Sequence, residues 1–238
     1  MAKQNDIVLK LSNISKVYQM GDSTVNALKD IDLEIKRGES VVIMGPSGSG
    51  KSTMLHILGC LDKPSEGEMY LDGVKITKED DGYDLAEVRN KKIGFVFQFF
   101  FLISTLSVVE NVELPMIFNG MSSGERRKRA VQLLNRVGLG DRLNHRPSQL
   151  SGGQRQRVAV ARALANNPAI ILADEPTGNL DSKTGLEIME LFEELHKKEG
   201  RTIVTVTHDS SLVKHAEKVI RLRDGKIEKI ETVRKRVR

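Results

Sequence analysis

Apolar and polar residues alternate in Ile7-Val8-Leu9-Lys10-Leu11 and again in Ile31-Asp32-Leu33-Glu34-Ile35, the two-residue period of strands covered on one face. The polar Gly21-Asp22-Ser23 turn lies between them, so the N-terminal part is expected to be antiparallel. A different pattern marks Val41-Val42-Ile43-Met44, Ala169-Ile170-Ile171-Leu172-Ala173 and Thr202-Ile203-Val204-Thr205-Val206, which are short unbroken apolar runs of strands buried on both faces. A helical stretch follows each, and this alternation predicts an α/β fold with a mostly parallel sheet. From about Phe99 to Asn166 strand signals vanish, and charged helical patterns run from Ser123 to Val137 and from Ser151 to Ala165, separated by Gly138, Gly140 and Pro147. The expected organisation is one domain. Residues 1–98 and 167–238 form the α/β core with its antiparallel β-subdomain, and 99–166 form an inserted helical subdomain. After Asp209 the chain offers one more helix and then a hairpin turning at Asp224-Gly225.

Composition narrows the class without naming the chemistry. The 238 residues are 39% hydrophobic and 29% charged, ordinary for a globular chain. No run approaches the roughly 18 apolar residues of a membrane span, and the start is polar. A single cysteine, Cys60, excludes an internal disulfide and a paired-thiol zinc site, which suggests a cytoplasmic setting. The net charge of +5 is concentrated in Glu125-Arg126-Arg127-Lys128-Arg129 and in the tail Arg234-Lys235-Arg236-Val237-Arg238. Neither cluster has the interleaved aromatics of a base-stacking surface, so nucleic acid is not an expected partner.

Gly45-Pro46-Ser47-Gly48-Ser49-Gly50-Lys51-Ser52 fits G-x-x-x-x-G-K-[ST] between a buried strand and the apolar helical run that begins at Thr53. Glycines let the backbone curl so that successive N–H groups and the helix N-terminus face an anion. Lys51 can reach the outer phosphates, and Ser52 offers a hydroxyl to Mg²⁺, a cation that prefers oxygen ligands. The expected ligands are ATP and Mg²⁺, with Gly45 to Thr53 on the nucleotide. The loop by itself does not choose among NTPase classes.

Leu150-Ser151-Gly152-Gly153-Gln154 makes the choice. Ser151 can cap a helix while Gly152 and Gly153 expose backbone donors, forming a second anion-binding helix start. With this pentapeptide the sequence resembles the ATP-binding cassette (ABC) ATPases from about Leu9 to Ile227, in the branch serving lipoprotein-release and macrolide-export permeases. The branch is suggested by Leu58 to Gly67, where Cys60 has a structural place, and by Val109 to Pro115. The resemblance implies that Ser151, Gly152, Gly153 and Gln154 contact the γ-phosphate on the loop of a second subunit, although spacing alone does not separate this from a contact within the chain.

Ile170 to Glu175 is similar to the family's Walker B strand, which implies Asp174 in the Mg²⁺ shell and Glu175 as activator of the attacking water. Strand alternation is expected to send these two side chains in different directions. The same resemblance makes His208 the switch histidine and Gln98 the glutamine linking Mg²⁺ and water to the helical subdomain. Gly178-Asn179-Leu180-Asp181 becomes a segment crossing the dimer interface, and Tyr18 the ring that stacks on adenine. Taken together these imply a homodimer around two ATP molecules that drives an integral-membrane permease, peripheral to the inner face of the cell membrane. A non-transporting signalling partner is the alternative. The chain departs from the family at Phe99-Phe100-Phe101, where an asparagine is usual in place of Phe101; two of these rings are expected to pack internally and one to meet a partner.

Overall fold

The computed structural model describes residues 6–77 and 82–233, apart from the side chains of Met20, Gly82 and Tyr83. The basic tail singled out above lies outside the described residues.

Two sheets organise the chain. The first is antiparallel, in the order β2-β1-β4-β5, from β1 (Ile7–Met20), β2 (Ser23–Lys36), β4 (Glu66–Leu71) and β5 (Val74–Ile76). Leu9, Leu11, Ile31, Leu33 and Ile35 are buried while Lys10, Asp32 and Glu34 are not, the alternation of a sheet with one covered face. The second sheet has the order β10-β9-β3-β8-β7-β6. It comprises β3 (Ser40–Met44), β6 (Ile93–Phe97), β7 (Ile170–Asp174), β8 (Ile203–Val206), β9 (Lys218–Arg223) and β10 (Lys226–Thr232). All its pairings are parallel except the β9–β10 hairpin. Val41 to Met44, Ile170 to Ala173 and Ile203 to Val206 are buried, in keeping with their unbroken apolar runs.

Helices α1 (Lys51–Leu58), α2 (Gly82–Lys92), α3 (Val108–Phe118), α4 (Ser123–Arg136), α5 (Gly152–Ala163) and α6 (Ser182–Glu199) complete the fold. One apolar cluster joins the antiparallel sheet, α1 and one side of the large sheet, including Leu9, Ile35, Met54, Leu55, Leu172 and Val206. A second joins α3, α4 and α5 to Val96, Ile171, Ala173 and α6. Helix α5, which begins at the Ser151-Gly152-Gly153-Gln154 motif, is therefore packed into the same core as the strands that carry the acidic residues.

The structure differs from the expectations in several places, and β4, β5 and α2 are elements the patterns above do not predict. The helix anticipated after Asp209 is a six-residue 3₁₀ turn, Ser210–His215. Helix α3 was not anticipated, because Pro115 interrupts its pattern; Ser107 and Glu110 nevertheless form a complete capping box at its start. The aromatic triplet inverts the expectation, since Phe99 (66% exposed) and Phe101 (61%) face out and only Phe100 is half-buried. Phe100 and Phe101 both have positive φ, and the Arg162 guanidinium donates to their two carbonyls. That clamp holds a backbone turned so that the Phe101 ring projects outward while Phe100 stays half-buried.

Candidate functional site

The C-terminal ends of neighbouring parallel strands deliver the residues singled out from sequence: the phosphate loop follows β3, His208 follows β8, Asp174 ends β7 and Gln98 follows β6. Side chains at the carboxyl ends of adjacent strands share one rim, where open α/β sheets place their ligands.

The phosphate loop enters α1 through Gly50, whose φ of 100° lies in the left-handed range and whose place no side chain could take, since a Cβ there would stand 2.6 Å from the Ala27 carbonyl oxygen. No side chain caps this helix start. Its first N–H groups are thus left to an outside acceptor. The Lys51 ammonium donates to the Gly45 and Pro46 carbonyl oxygens, at 2.8 Å each, and so lies over its own loop. Tyr18, Asn26, Ala27, Ser47, Gly48 and Lys51 are among the residues around an open cavity of about 530 Å³, with Ser52 and Thr53 on the same wall. Its size and its mix of one aromatic ring and many backbone donors suit a nucleotide. Burial pushes the Tyr18 hydroxyl's pKa up, helped by its 2.7 Å hydrogen bond to Asp62, which fixes the ring on the cavity wall. Pro46 and Ser49 belong to the same loop, with the Ser49 hydroxyl buried beneath it.

The two acids separate by a mechanism other than the one expected. Strand β7 ends at Asp174, and Glu175 leaves it with φ 43°, a conformation that non-glycine residues seldom hold without compensation. The compensation is visible. Thr207 Oγ1 donates to Glu175 Oε2 at 2.8 Å, the His208 N–H donates to Oε1 at 3.0 Å, and His208 Nδ1 lies 2.7 Å from the same oxygen. The left-handed turn, and not strand alternation, aims Glu175 at the end of β8. Asp174 stays at the strand end, where burial first and the Glu175 charge second raise its pKa, against the opposing charges of His56 and Lys51. A half-buried carboxylate whose ionised form is disfavoured beside a second carboxylate is a place where a divalent cation is welcome. Ser52, Asp174 and Gln98 are oxygen donors of the kind Mg²⁺ takes alongside phosphates, and no cluster of three or more acidic, histidine or cysteine ligands occurs among the described residues.

Ser151 caps α5 as expected, but it does so reciprocally. Gln154 N–H donates to Ser151 Oγ at 3.3 Å, and Ser151 N–H donates to Gln154 Oε1 at 3.0 Å. Gly153 is buried, and a Cβ there would stand 2.2 Å from Thr184 Cγ2 on α6. The second glycine therefore allows close helix packing, a reason sequence alone did not supply. Gly152 faces Leu180. None of the four residues 151–154 lines the nucleotide-sized cavity. Asp181 is bound up within the chain as the cap of α6, accepting from Thr184.

Thr207 and Gln156 were given no part in the site from sequence, and Asn179 was named only within the segment expected at the dimer interface. Thr207 holds Glu175. Gln156 is fully buried on α5 and donates to the Pro176 carbonyl at 2.6 Å, next to Glu175, with the Phe97 carbonyl 3.4 Å away, next to Gln98. Asn179 pairs with Gln98. The only signal for the first two is that each is a polar residue beside a motif; their partners are long-range and invisible to spacing.

The chain has similar proteins of known family and structure. The ABC transporter family matches residues 28–178. An uncharacterized ABC transporter ATP-binding protein of Methanocaldococcus jannaschii, MJ0796, is 57% identical over 95% of this chain and 98% of its own length. The dimeric structure of MJ0796 in a post-hydrolysis state bound to ADP and Pi superposes with a TM-score of 0.86 at 56% identity, over 95% of this chain and 99% of that one. The macrolide export ATP-binding/permease protein MacB of Bartonella quintana is 53% identical over 94% of this chain, which spans 34% of that longer protein.

Proposed function

The chain belongs to the ABC transporter family as its ATP-binding, ATP-hydrolysing cassette, which uses Mg²⁺, and we propose that it works as one of two identical subunits that close head to tail on two ATP molecules to drive an integral-membrane permease. The observation that carries the proposal is the division of the site. Residues for binding phosphate and metal share one rim, while the signature cap at Ser151 lies off the cavity. A γ-phosphate held by one copy would then be closed in by Ser151, Gly152, Gly153 and Gln154 of the other, and the relative MJ0796, solved as a dimer, supports the pairing of two copies.

In this reading the loop from Gly45 to Thr53 wraps the phosphates, Lys51 turns from its own carbonyls onto the outer phosphates, and Tyr18 stacks on the base. Ser52, Asp174 and Gln98 would hold Mg²⁺, which when bound neutralises charge developing on the phosphate oxygens. Glu175, positioned by Thr207, orients a water and takes its proton, and His208 keeps that carboxylate in place and meets the γ-phosphate. Residues 99–166 act as a helical arm. Its outer side, with α2 and β6, bounds an apolar groove of about 930 Å³ lined by Leu61, Phe97, Phe101, Leu114 and Phe118 among others, a suitable seat for a permease helix. No described helix is long and apolar enough to cross a membrane, so attachment at the cytoplasmic face is assigned to the permease. The MacB relative, a permease fusion named for export, favours transport over signalling.

A positioned general base contributes about 10²–10⁴-fold. Glu175→Gln should therefore lower steady-state hydrolysis by that factor, spare ATP binding and accumulate an ATP-dependent dimer by light scattering. Undiminished turnover in that variant would remove Glu175 from the mechanism.

A further inference from the structure

Gln98 and Asn179 are 81 residues apart in sequence and joined by two hydrogen bonds. Asn179 Nδ2 donates to the Gln98 main-chain oxygen at 3.1 Å, and Gln98 Nε2 donates to Asn179 Oδ1 at 3.2 Å. The pairing fixes both amide orientations. A main-chain carbonyl only accepts, so the Asn179 NH₂ must face it, and Asn179 Oδ1 is then the atom presented to the Gln98 side chain. Only the NH₂ end of Gln98 can donate to that oxygen. The Gln98 carbonyl oxygen Oε1 is thereby reserved as an acceptor, and it is the only end of the amide that a hard cation can use.

Gly178 supplies the room. A Cβ at this position would stand 2.7 Å from Gln98 Nε2, so a glycine here permits the amide to lie against the 178–181 turn. Its φ is not in the left-handed range, so the need is for space and not for backbone freedom.

We infer that Asn179 is a positioning residue for metal binding: it holds the Gln98 amide with its oxygen end presented to Mg²⁺. The inference rests on the reading of Gln98 as a metal ligand given above. It makes the readiness of that ligand depend on the 178–181 turn, the segment expected to meet the second subunit, so that displacement of the turn would release Gln98 to the opposite amide orientation.

The test uses Glu175→Gln chain, in which turnover is suppressed, and reads the Mg²⁺ midpoint for equilibrium binding of a fluorescent ATP analogue. An exposed hydrogen-bonded pair supports an effect of about 3- to 10-fold. Asn179→Ala should raise the midpoint by that factor, with the analogue's affinity in the absence of Mg²⁺ unchanged. Gln98→Ala should raise it at least as far, and the double variant no further than Gln98→Ala alone, because Asn179 acts through Gln98. Gly178→Ala should shift the midpoint in the same direction with Asn179 intact. Thermal midpoints that match the parent exclude misfolding as the cause. If Asn179→Ala leaves the midpoint within 2-fold while Gln98→Ala raises it, or if the two effects multiply, the inference is wrong. An unmoved midpoint in Gln98→Ala would instead remove the assignment of Gln98 itself, and the inference with it.

Discussion

Two helices of this chain begin at glycine-rich motifs, and they begin differently. Helix α1 starts at Gly50 with no side-chain cap, its first N–H groups left for an outside acceptor and the Lys51 ammonium poised over the loop. Helix α5 starts at Ser151 with a reciprocal capping box, and its second glycine is buried against Thr184. The first start is arranged to take an anion by itself. The second already has a side-chain cap within the chain, and in the proposed dimer it would meet only a phosphate carried by the other copy. On the proposed reading one motif binds and the other senses, as a site divided between two copies would require.

The sharpest way to break this comparison is to remove the charge from the first start. Lys51→Ala deletes a group offsetting phosphate charge, and loss of one partner of such a pair costs about 2–5 kcal/mol, so ATP affinity should fall at least 30-fold. Under the same conditions Ser151→Ala should leave the affinity of the isolated chain within 2-fold. Equilibrium binding to dilute protein measures both, and comparable losses in the two variants would mean that both motifs hold nucleotide within one chain.

Changing the second start separates its two duties. Ser151→Ala loses a cap worth about 0.5–2 kcal/mol, lowering the thermal midpoint and weakening ATP-driven dimerisation in a Glu175→Gln background. Ser151→Asp still caps α5 and favours its N-terminus electrostatically, so stability should return to the parent value. Its negative charge opposes a γ-phosphate, so the dimer should remain lost. Recovery of both properties by aspartate would reduce the motif to a helix cap.

The parts of this arrangement legible in sequence are those written in local order. The phosphate loop, the Ser151 cap, the paired acids at a strand end and the two kinds of strand pattern all depend on neighbours a few residues apart. Helix α3 was locally marked too, by Ser107 and Glu110, but Pro115 obscured its period. What could not be read are contacts across the fold. Thr207 meets Glu175 across 32 residues, Gln156 reaches Pro176 across 20, and Gly153 is small because of Thr184 on another helix. The phenylalanine triplet shows the same limit: apolar character suggested burial, and the outward turn depends on Arg162, 61 residues beyond Phe101.

The smallest expected effect concerns Asp174, and its sign depends on the ligand. Burial and the neighbouring Glu175 raise its pKa above 3.8, so folding favours the protonated acid. The stability this contributes is fully present below the unfolded value and is lost as pH rises through the raised folded one. Above that raised pKa the ionised Asp174 therefore opposes folding, and Asp174→Asn should raise the thermal midpoint measured there without nucleotide or Mg²⁺. That difference should shrink as pH falls through the raised pKa. With ATP and Mg²⁺ present the order should reverse, because ligand binding stabilises the parent in proportion to its occupancy and asparagine carries no charge for the metal. If Asp174 holds Mg²⁺ as proposed, protons compete with the metal for that carboxylate, so the parent should lose its Mg²⁺-dependent stabilisation on acidification at a higher pH than an ordinary aspartate would. Thermal midpoints of both forms across this range, with and without Mg²⁺ and ATP, measure it. A lower midpoint for Asp174→Asn above the raised pKa without ligand would mean that Asp174 is held by its attraction to Lys51 and His56, and that the rim of the phosphate loop is balanced before any cation arrives.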